Sequence, residues 1–440
     1  MIEISPQRRT EILDALRRGT VPAQGLDALA VGLDRFIDTF DEELDRVASG
    51  AGVFKAIRGE YGAGKTFITR WLAERAKARG LATSEVQISE TDTPMHRYQT
   101  IYRRLVEQLS TSTVRTGGLR TVIDSWFFAL EDEVLAGGDV DPNDGDALTA
   151  RTTELMEQRL AEVTRTAPAF SAVLRAYLAA TNAGDRPVAD GLIAWLGGQP
   201  HVAASVKKSA GIKGDLDHDA ALSFLAGLLT ILRDAGFGGL VLVLDEVETM
   251  QRMRSDTRDK GLEALRKFID DLYEGRFPGL YLVITGTPAF YDGAQGVQRL
   301  IPLAQRMHTD FGGDPKFDNP RAVQVRLQGF DLDALVNVGA RVRDLFAAGA
   351  DHPDRVMSLC DDSYLLALAQ AVTGELGSKV GVAPRLYVKK LVGEVLDRVD
   401  LFDDFDPRRD YKLTVADTEL TVVERNARAA TSPDDIELEL

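Results

Sequence analysis

Val53-Phe-Lys-Ala-Ile-Arg-Gly59-Glu60-Tyr61-Gly62-Ala63-Gly64-Lys65-Thr66-Phe67 runs from an apolar stretch straight into a glycine-rich turn. Val53 to Ile57 reads as a short buried strand, and the residues from Thr66 to Arg79 carry a helical pattern that Gly80 stops. Between them Gly59 to Thr66 fits GxxxxGK[ST], the pattern of a phosphate-binding loop. Glycines let the backbone wrap an anion and turn its N–H groups inward, and the helix start adds partial positive charge. In that arrangement Lys65 reaches the β- and γ-phosphates, the backbone of Gly59 to Phe67 cradles the nucleotide, and the Thr66 hydroxyl meets Mg²⁺.

A second stretch completes the chemistry. Leu240-Val-Leu-Val-Leu-Asp245-Glu246 is a greasy strand ending in two acids. Where a phosphate loop is present, such a strand end supplies one carboxylate to the Mg²⁺ shell and a second to polarise water. Asp245 is expected to serve the metal and Glu246 the water, with Glu248 as the rival base. The guanine-reading pattern [NT]KxD is absent, so ATP is the expected nucleotide.

Working outward, Ala82–Ser89 reads as a second strand and 94–109 as a helix, the rhythm of a parallel α/β sheet. The rhythm returns with a helix at 220–234, the strand at 240, a helix at 261–273 and a strand at 280–285. Residues 113–218 lack strand-like runs and read as helices near 118–136, 147–165, 168–180 and 187–196, with a loop at 207–214. The divisions expected are an N-terminal helix (6–18) and linker in 1–32, a first core half in 33–112, a helical insertion in 113–218 and a second core half in 219–328. A helical lid follows in 329–400, then an acidic, solvated tail in 401–440 with a hairpin near 411–423.

Composition narrows the partners. The chain has 440 residues, 44% hydrophobic and 27% charged, enough apolar material for a sizeable core. Its net charge of −16 speaks against coating nucleic acid by bulk charge. A single cysteine excludes a disulfide framework and a Cys-based zinc site. No signal peptide and no bilayer-length apolar run are present, so a soluble cytoplasmic protein without a membrane association is expected.

The order of features resembles AAA+ ATPases over about 20–110 and 219–400. The resemblance implies an α/β fold, a parallel P-loop NTPase sheet with Walker A and Walker B segments, here carrying a helical insertion and a C-terminal helical lid. It places Thr285, with Thr287 as alternate, at sensor 1. It places Arg306, with Arg299 as rival, at the arginine finger that completes a neighbouring subunit's site, and Arg385 at sensor 2, near the γ-phosphate. Lys65 and Asp245 stand 180 residues apart, more than a compact core needs, which the insertion accounts for.

At a finer level GEYGAGKT (59–66), TDTPMHRYQTIYRRLVEQL (91–109), LVLDEVE (242–248), VITGTPAFY (283–291) and APRLYVKK (383–390) resemble the ATP-binding proteins of BREX-type phage-defence systems, the BrxD-like group. That likeness implies antiviral defence, assembly as a homo-oligomer or with a helicase, and action on DNA. Arg97, Arg104 and the Tyr98/Tyr102 pair read either as a nucleic-acid contact or as a helix docked on the sheet. The same choice holds for Arg252, Arg254 and Arg258, and for Arg8, Arg9, Arg17 and Arg18 of the first helix, where DNA and an acidic neighbour compete. Two functions from different classes remain: a DNA-linked ATPase, and a nucleotide-gated binding or signalling switch with little turnover.

Overall fold

The computed structural model describes residues 4–138, 140–375, 384–420 and 425. Five parallel strands form one sheet: β1 (Val53–Arg58), β2 (Ala82–Gln87), β3 (Leu240–Asp245), β4 (Leu280–Gly286) and β5 (Gln324–Arg326), in the order β2-β3-β4-β1-β5. Every residue of β1, β3 and β4 is buried, as parallel strands covered on both faces require. The period of two is visible in the packing. Phe54, Ala56, Leu242, Leu244, Leu282 and Ile284 enter one core. Val53, Ile57, Val241, Val243 and Val283 enter the other. The expected α/β fold, a parallel sheet followed by a C-terminal group of helices, is the fold found. The three-residue β5, whose Gln-Val-Arg gives no strand signal, was not foreseen from the sequence.

Helices α2 (Asp34–Ala48) and α3 (Lys65–Ala78) cover the second face, where Trp71 packs with Phe40. α4 (Tyr98–Glu107) and residues of the 113–218 segment lie over the first. Four helices of that segment follow the expected pattern: α5 (Leu119–Ala136), the pair α6 (Gly145–Arg159) and α7 (Ala161–Thr166) in place of one helix, α8 (Pro168–Asn182) and α9 (Arg186–Leu196). A short α10 (Ala204–Ser209) enters the stretch read as a loop. These helices do not form a core of their own. Trp126, Phe170, Tyr177 and Trp195 join α11 (His218–Asp234) and the sheet in one cluster, and the Trp126 indole N–H donates to Asp234 at 2.6 Å. α12 (Ser255–Tyr273), α13 (Pro288–Asp292) and α14 (Ile301–Met307) complete the sheet region.

The lid comprises α15 (Leu332–Ala347), α16 (Pro353–Leu359), α17 (Asp362–Glu375), α18 (Pro384–Lys390), a π-turn at Leu391–Leu396 and α19 (Asp397–Leu401). α1 (Pro6–Arg17) buries Ile12, Leu13 and Leu16 in this lid, and Arg17 donates twice to Asp397, at 2.8 and 2.7 Å. The first helix is therefore not a free basic arm; the acidic neighbour it meets is in its own chain.

The C-terminal reading needs correction. Residues 411–416 form no strand, and 417–419 make a tight turn that packs on α18; the far end of the expected hairpin, 421–423, lies outside the described residues. Nor is this stretch a solvated tail as far as Leu420. Tyr411 donates to Glu394 at 2.8 Å and Leu420 is buried in the lid core. Lysines of α18 neutralise Glu419, which is why an acidic segment can lie down there.

Candidate nucleotide site

The phosphate loop is built by β1 handing the chain to α3. Gly59 N–H donates to the Gly286 carbonyl at 3.1 Å, tying the loop's start to β4. Gly62 (φ 80°) and Gly64 (φ 90°) take the left-handed conformation that side chains resist, and Gly64 is the residue that caps α3. The first N–H groups of α3 therefore face the loop's concavity.

Lys65 is buried and its ammonium donates to the carbonyls of Gly59 at 2.8 Å and Glu60 at 3.3 Å. It stands 3.9 Å from Glu248 and 5.0 Å from the Tyr61 ring centroid. Burial pushes its pKa down, against the pull of Glu248 and Asp245. Glu248 lies in the 3-10 turn Val247–Arg252 and is itself buried, with neither carboxylate oxygen hydrogen-bonded. Burial raises its pKa to about 7 although Lys65 opposes this.

At the end of β3 the Thr285 hydroxyl donates to Asp245 Oδ1, which also accepts from the Glu246 N–H at 3.1 Å. That N–H sits 3.2 Å from the Thr285 hydroxyl as well, so β3 and β4 are cross-braced at their carboxyl ends. Glu246 adopts φ 58°, a strained value for a side-chain-bearing residue, and its carboxylate accepts from the Gln87 side chain at 2.7 Å. Thr287 is buried beside them.

These residues open onto a cavity of about 690 Å³. Glu60 to Phe67, Asp245, Glu246 and Glu248 line its polar side, and Arg385 of α18 enters from the lid. Its apolar side comes from residues that no sequence pattern places there. Val21, Leu29 and Val31 of the expected linker, with Leu33 just after it, line the cavity together with Phe330, Val338 and Val342 from the C-terminal helical region. The linker is fixed by Glu74, whose carboxylate accepts from the Gly25 and Leu26 N–H groups at 2.7 and 2.9 Å. A Pro- and Gly-bearing segment has no periodicity to announce such a wall.

Thus Lys65, Thr66, Asp245, Glu246 and Arg385 share one cavity, and Thr285 braces it from behind. Arg306 and Arg299 do not line it. Arg306 pairs with Asp270 and bonds the Pro302 carbonyl at 2.8 Å; Arg299 pairs with Asp259 and bonds the Ser255 hydroxyl at 2.7 Å. The donor set suits Mg²⁺: one carboxylate (Asp245) and one hydroxyl (Thr66), leaving room for phosphate oxygens and water. Among the described residues no group of three or more His, Cys, Asp or Glu side chains is placed to hold a metal ion.

For Tyr98 and Tyr102 the docked-helix reading holds and the nucleic-acid reading is closed. Tyr98 and Tyr102 are buried, Tyr98 stacked on His218 at 4.8 Å and donating to the Ala264 carbonyl at 2.6 Å, so neither can stack on a base. Arg104 pairs with Glu107 at 2.9 Å, whereas Arg97, Arg252 and Arg254 are exposed.

A model of the family described as BREX system ATP-binding protein BrxC/D matches residues 4–415. The chain belongs to that family. In this BrxC/D chain one cavity brings the phosphate loop, the paired strand-end acids and Arg385 together. No curated protein matches it. Among solved structures it is similar to a chain from the structure of Drosophila ORC bound to DNA, 14% identical, with 90% of this chain and 68% of that chain covered and a TM-score of 0.29. Among the described residues of this BrxC/D chain no helix is long and apolar enough to cross a membrane.

Proposed function

We propose that this chain binds Mg²⁺–ATP in the cavity between sheet and lid and hydrolyses it in the service of BREX-type phage defence. One observation carries the reading. A buried ammonium, Lys65, is held on main-chain carbonyls of a left-handed glycine loop, at the floor of a cavity that Asp245, Glu246 and Arg385 also enter. A cation so placed, with helix-start N–H groups beside it, is made for a polyphosphate.

In this reading Lys65 and the loop from Gly59 to Phe67 hold the phosphates. Thr66 and Asp245 hold Mg²⁺, which when bound neutralises developing charge on the phosphate oxygens. Glu246 orients and deprotonates the attacking water, Thr285 fixes Asp245 and the Glu246 N–H, and Arg385 meets the γ-phosphate. The base lies against the apolar wall of Val21, Leu29 and Val338. Arg306, or Arg299, serves a neighbouring subunit's site, which requires each to leave its present carboxylate partner on α12. Assembly as an oligomer or with a helicase, and action on DNA through exposed arginines such as Arg97 and Arg254, belong to the same proposal.

Calorimetric titration of ATP and ADP into wild-type and Lys65→Ala protein, with phosphate release followed with and without DNA, tests it. Loss of binding in the variant and DNA-stimulated turnover in the wild type are expected; unchanged ATP affinity in the variant overturns the site. A second reading, a nucleotide-gated switch with little turnover, is favoured by the Gln87–Glu246 bond, because it occupies a carboxylate oxygen of the proposed base. Defence that survives Glu246→Gln while ATP remains bound would select the switch.

A further inference from the structure

Glu419 makes two kinds of contact with α18. Its carboxylate is gripped by Lys389 and Lys390, each at 2.8 Å, and its main-chain carbonyl accepts from Arg385 Nη2 at 2.6 Å. The grip is itself anchored. Lys390 is buried and also bonds Glu394 at 2.7 Å, and Glu394 accepts from Tyr411 at 2.8 Å. The Glu419 carboxylate turns back to accept from the Ala416 N–H at 3.3 Å, closing the turn. On the other side of Arg385 lies Gly19, where a Cβ would come within 3.4 Å of Nη1. The guanidinium is thus steered between the linker and the 417–420 turn at the wall of the nucleotide cavity. Burial pushes the Glu419 carboxyl up, but the two lysine bonds bring it down to about 2, so the grip persists at any working pH. Residues 417–420 lie beyond the 4–415 segment matched by the family.

We propose that Glu419 is a positioning residue for ATP: its lysine-clamped carboxylate fixes a main-chain carbonyl that aims Arg385 at the γ-phosphate. The inference rests on the reading of Arg385 given above. A long, mobile arginine pays rotamer entropy each time it meets a phosphate, and a fixed acceptor lowers that cost by holding the side chain near its working position. Because ADP offers no γ-phosphate, the device acts on discrimination between ATP and ADP. A merely structural role would loosen the lid and weaken both nucleotides alike.

The test uses the full chain with Mg²⁺ and titrates ATP and ADP separately into wild type, Glu419→Ala, Glu419→Gln, Lys389→Ala, Arg385→Ala and the Glu419→Ala/Arg385→Ala double variant. Glu419→Ala is expected to lower the ATP-over-ADP preference about three- to tenfold, the worth of one hydrogen bond, with ADP affinity kept. Lys389→Ala moves the same way, and Glu419→Gln restores part of the loss by keeping an acceptor for the lysines. In the double variant the two losses do not add, because both act through one guanidinium. Equal weakening of ATP and ADP, additive losses, or an unchanged preference in Glu419→Ala overturns the proposal, and Lys389→Ala decides the matter should Glu419→Ala not fold. An Arg385→Ala variant that keeps the full ATP preference removes the Arg385 reading and this inference together. A normal Glu419→Ala beside a defective Arg385→Ala removes this inference alone.

Discussion

Lys65 and Glu248 face one another at 3.9 Å, both buried, and neither oxygen of Glu248 has a hydrogen-bond partner among the described residues. A buried carboxylate without a hydrogen-bond donor, beside an ammonium already held on two main-chain carbonyls, is poorly compensated for lost water. The pair is poised to exchange partners. On the proposed reading, phosphates arriving at Lys65 would give the cation a better acceptor and leave Glu248 more strongly driven toward its protonated form.

Lys65→Ala is expected to weaken ATP by about a hundredfold or more, because it removes the charge-assisted contacts from a desolvated site. Calorimetry on the folded variant checks this, with circular dichroism to confirm that the sheet survives.

Glu248 gives a pH signature with a definite sign. Its folded value, about 7, lies above the ordinary 4.5. The group favours the fold below about pH 4.5 and costs stability as pH climbs through 7, on the order of 3 kcal/mol at full ionisation. Glu248→Gln is therefore expected to raise Tm at pH 8 and to lose that advantage toward pH 5. A variant melting at or below wild type at pH 8 would mean that the attraction of Lys65 outweighs burial.

Gln87 restrains Glu246 through the 2.7 Å bond described above. Gln87→Ala frees the carboxylate, and basal hydrolysis is expected to rise a few-fold, about the worth of one solvent-exposed hydrogen bond, with ATP affinity unchanged. A fall in turnover would show that the bond orients the base and does not withhold it.

Arg306→Ala is expected to spare nucleotide binding and to cut hydrolysis on the order of a thousandfold if it is the finger. The loss appears only where sites meet between subunits, so activity must depend on protein concentration. Arg299→Ala, run in parallel, tells the two apart, and a strictly monomeric, fully active enzyme leaves neither a role.

Excision of 113–218 is expected to unfold the sheet region. It strips cover from Phe224, Leu228 and Leu232 of α11, each worth about 1.5–3 kcal/mol when buried, and orphans Asp234 of its indole partner. A shortened chain that still melts cooperatively and binds ATP would show instead that α11 finds cover from α4 and the sheet alone.

The polar floor of the cavity was legible because its residues are local in sequence. Gly62, Gly64 and Lys65 sit within one turn, and Asp245 and Glu246 end one strand; each stretch carries its own constraint. What was not legible is contributed over distance. The apolar wall is made by Val21, Leu29 and Val31 in a linker without periodicity, and its meaning comes only from Val338 and Val342, some three hundred residues later. Gln324–Arg326 becomes a strand because β1 offers it an edge, not through its own preference. Glu248 looks like a loop acid in the sequence, and only the fold shows that it is buried against Lys65. Tyr98 and Tyr102 fit equally well on a basic surface helix or in a core, and burial decided for the core.

The packing of α1 into the lid has a mechanical consequence. The chain leaves α1 at Arg17, crosses the cavity wall and is pinned to α3 through Glu74 before α2 begins. Any swing of the lid therefore carries the amino-terminal end with it and slackens or tightens the crossing segment like a drawstring. A lid that shifted on nucleotide binding would then move α1 as well, carrying the event away from the cavity to a helix that takes no part in lining its phosphate loop.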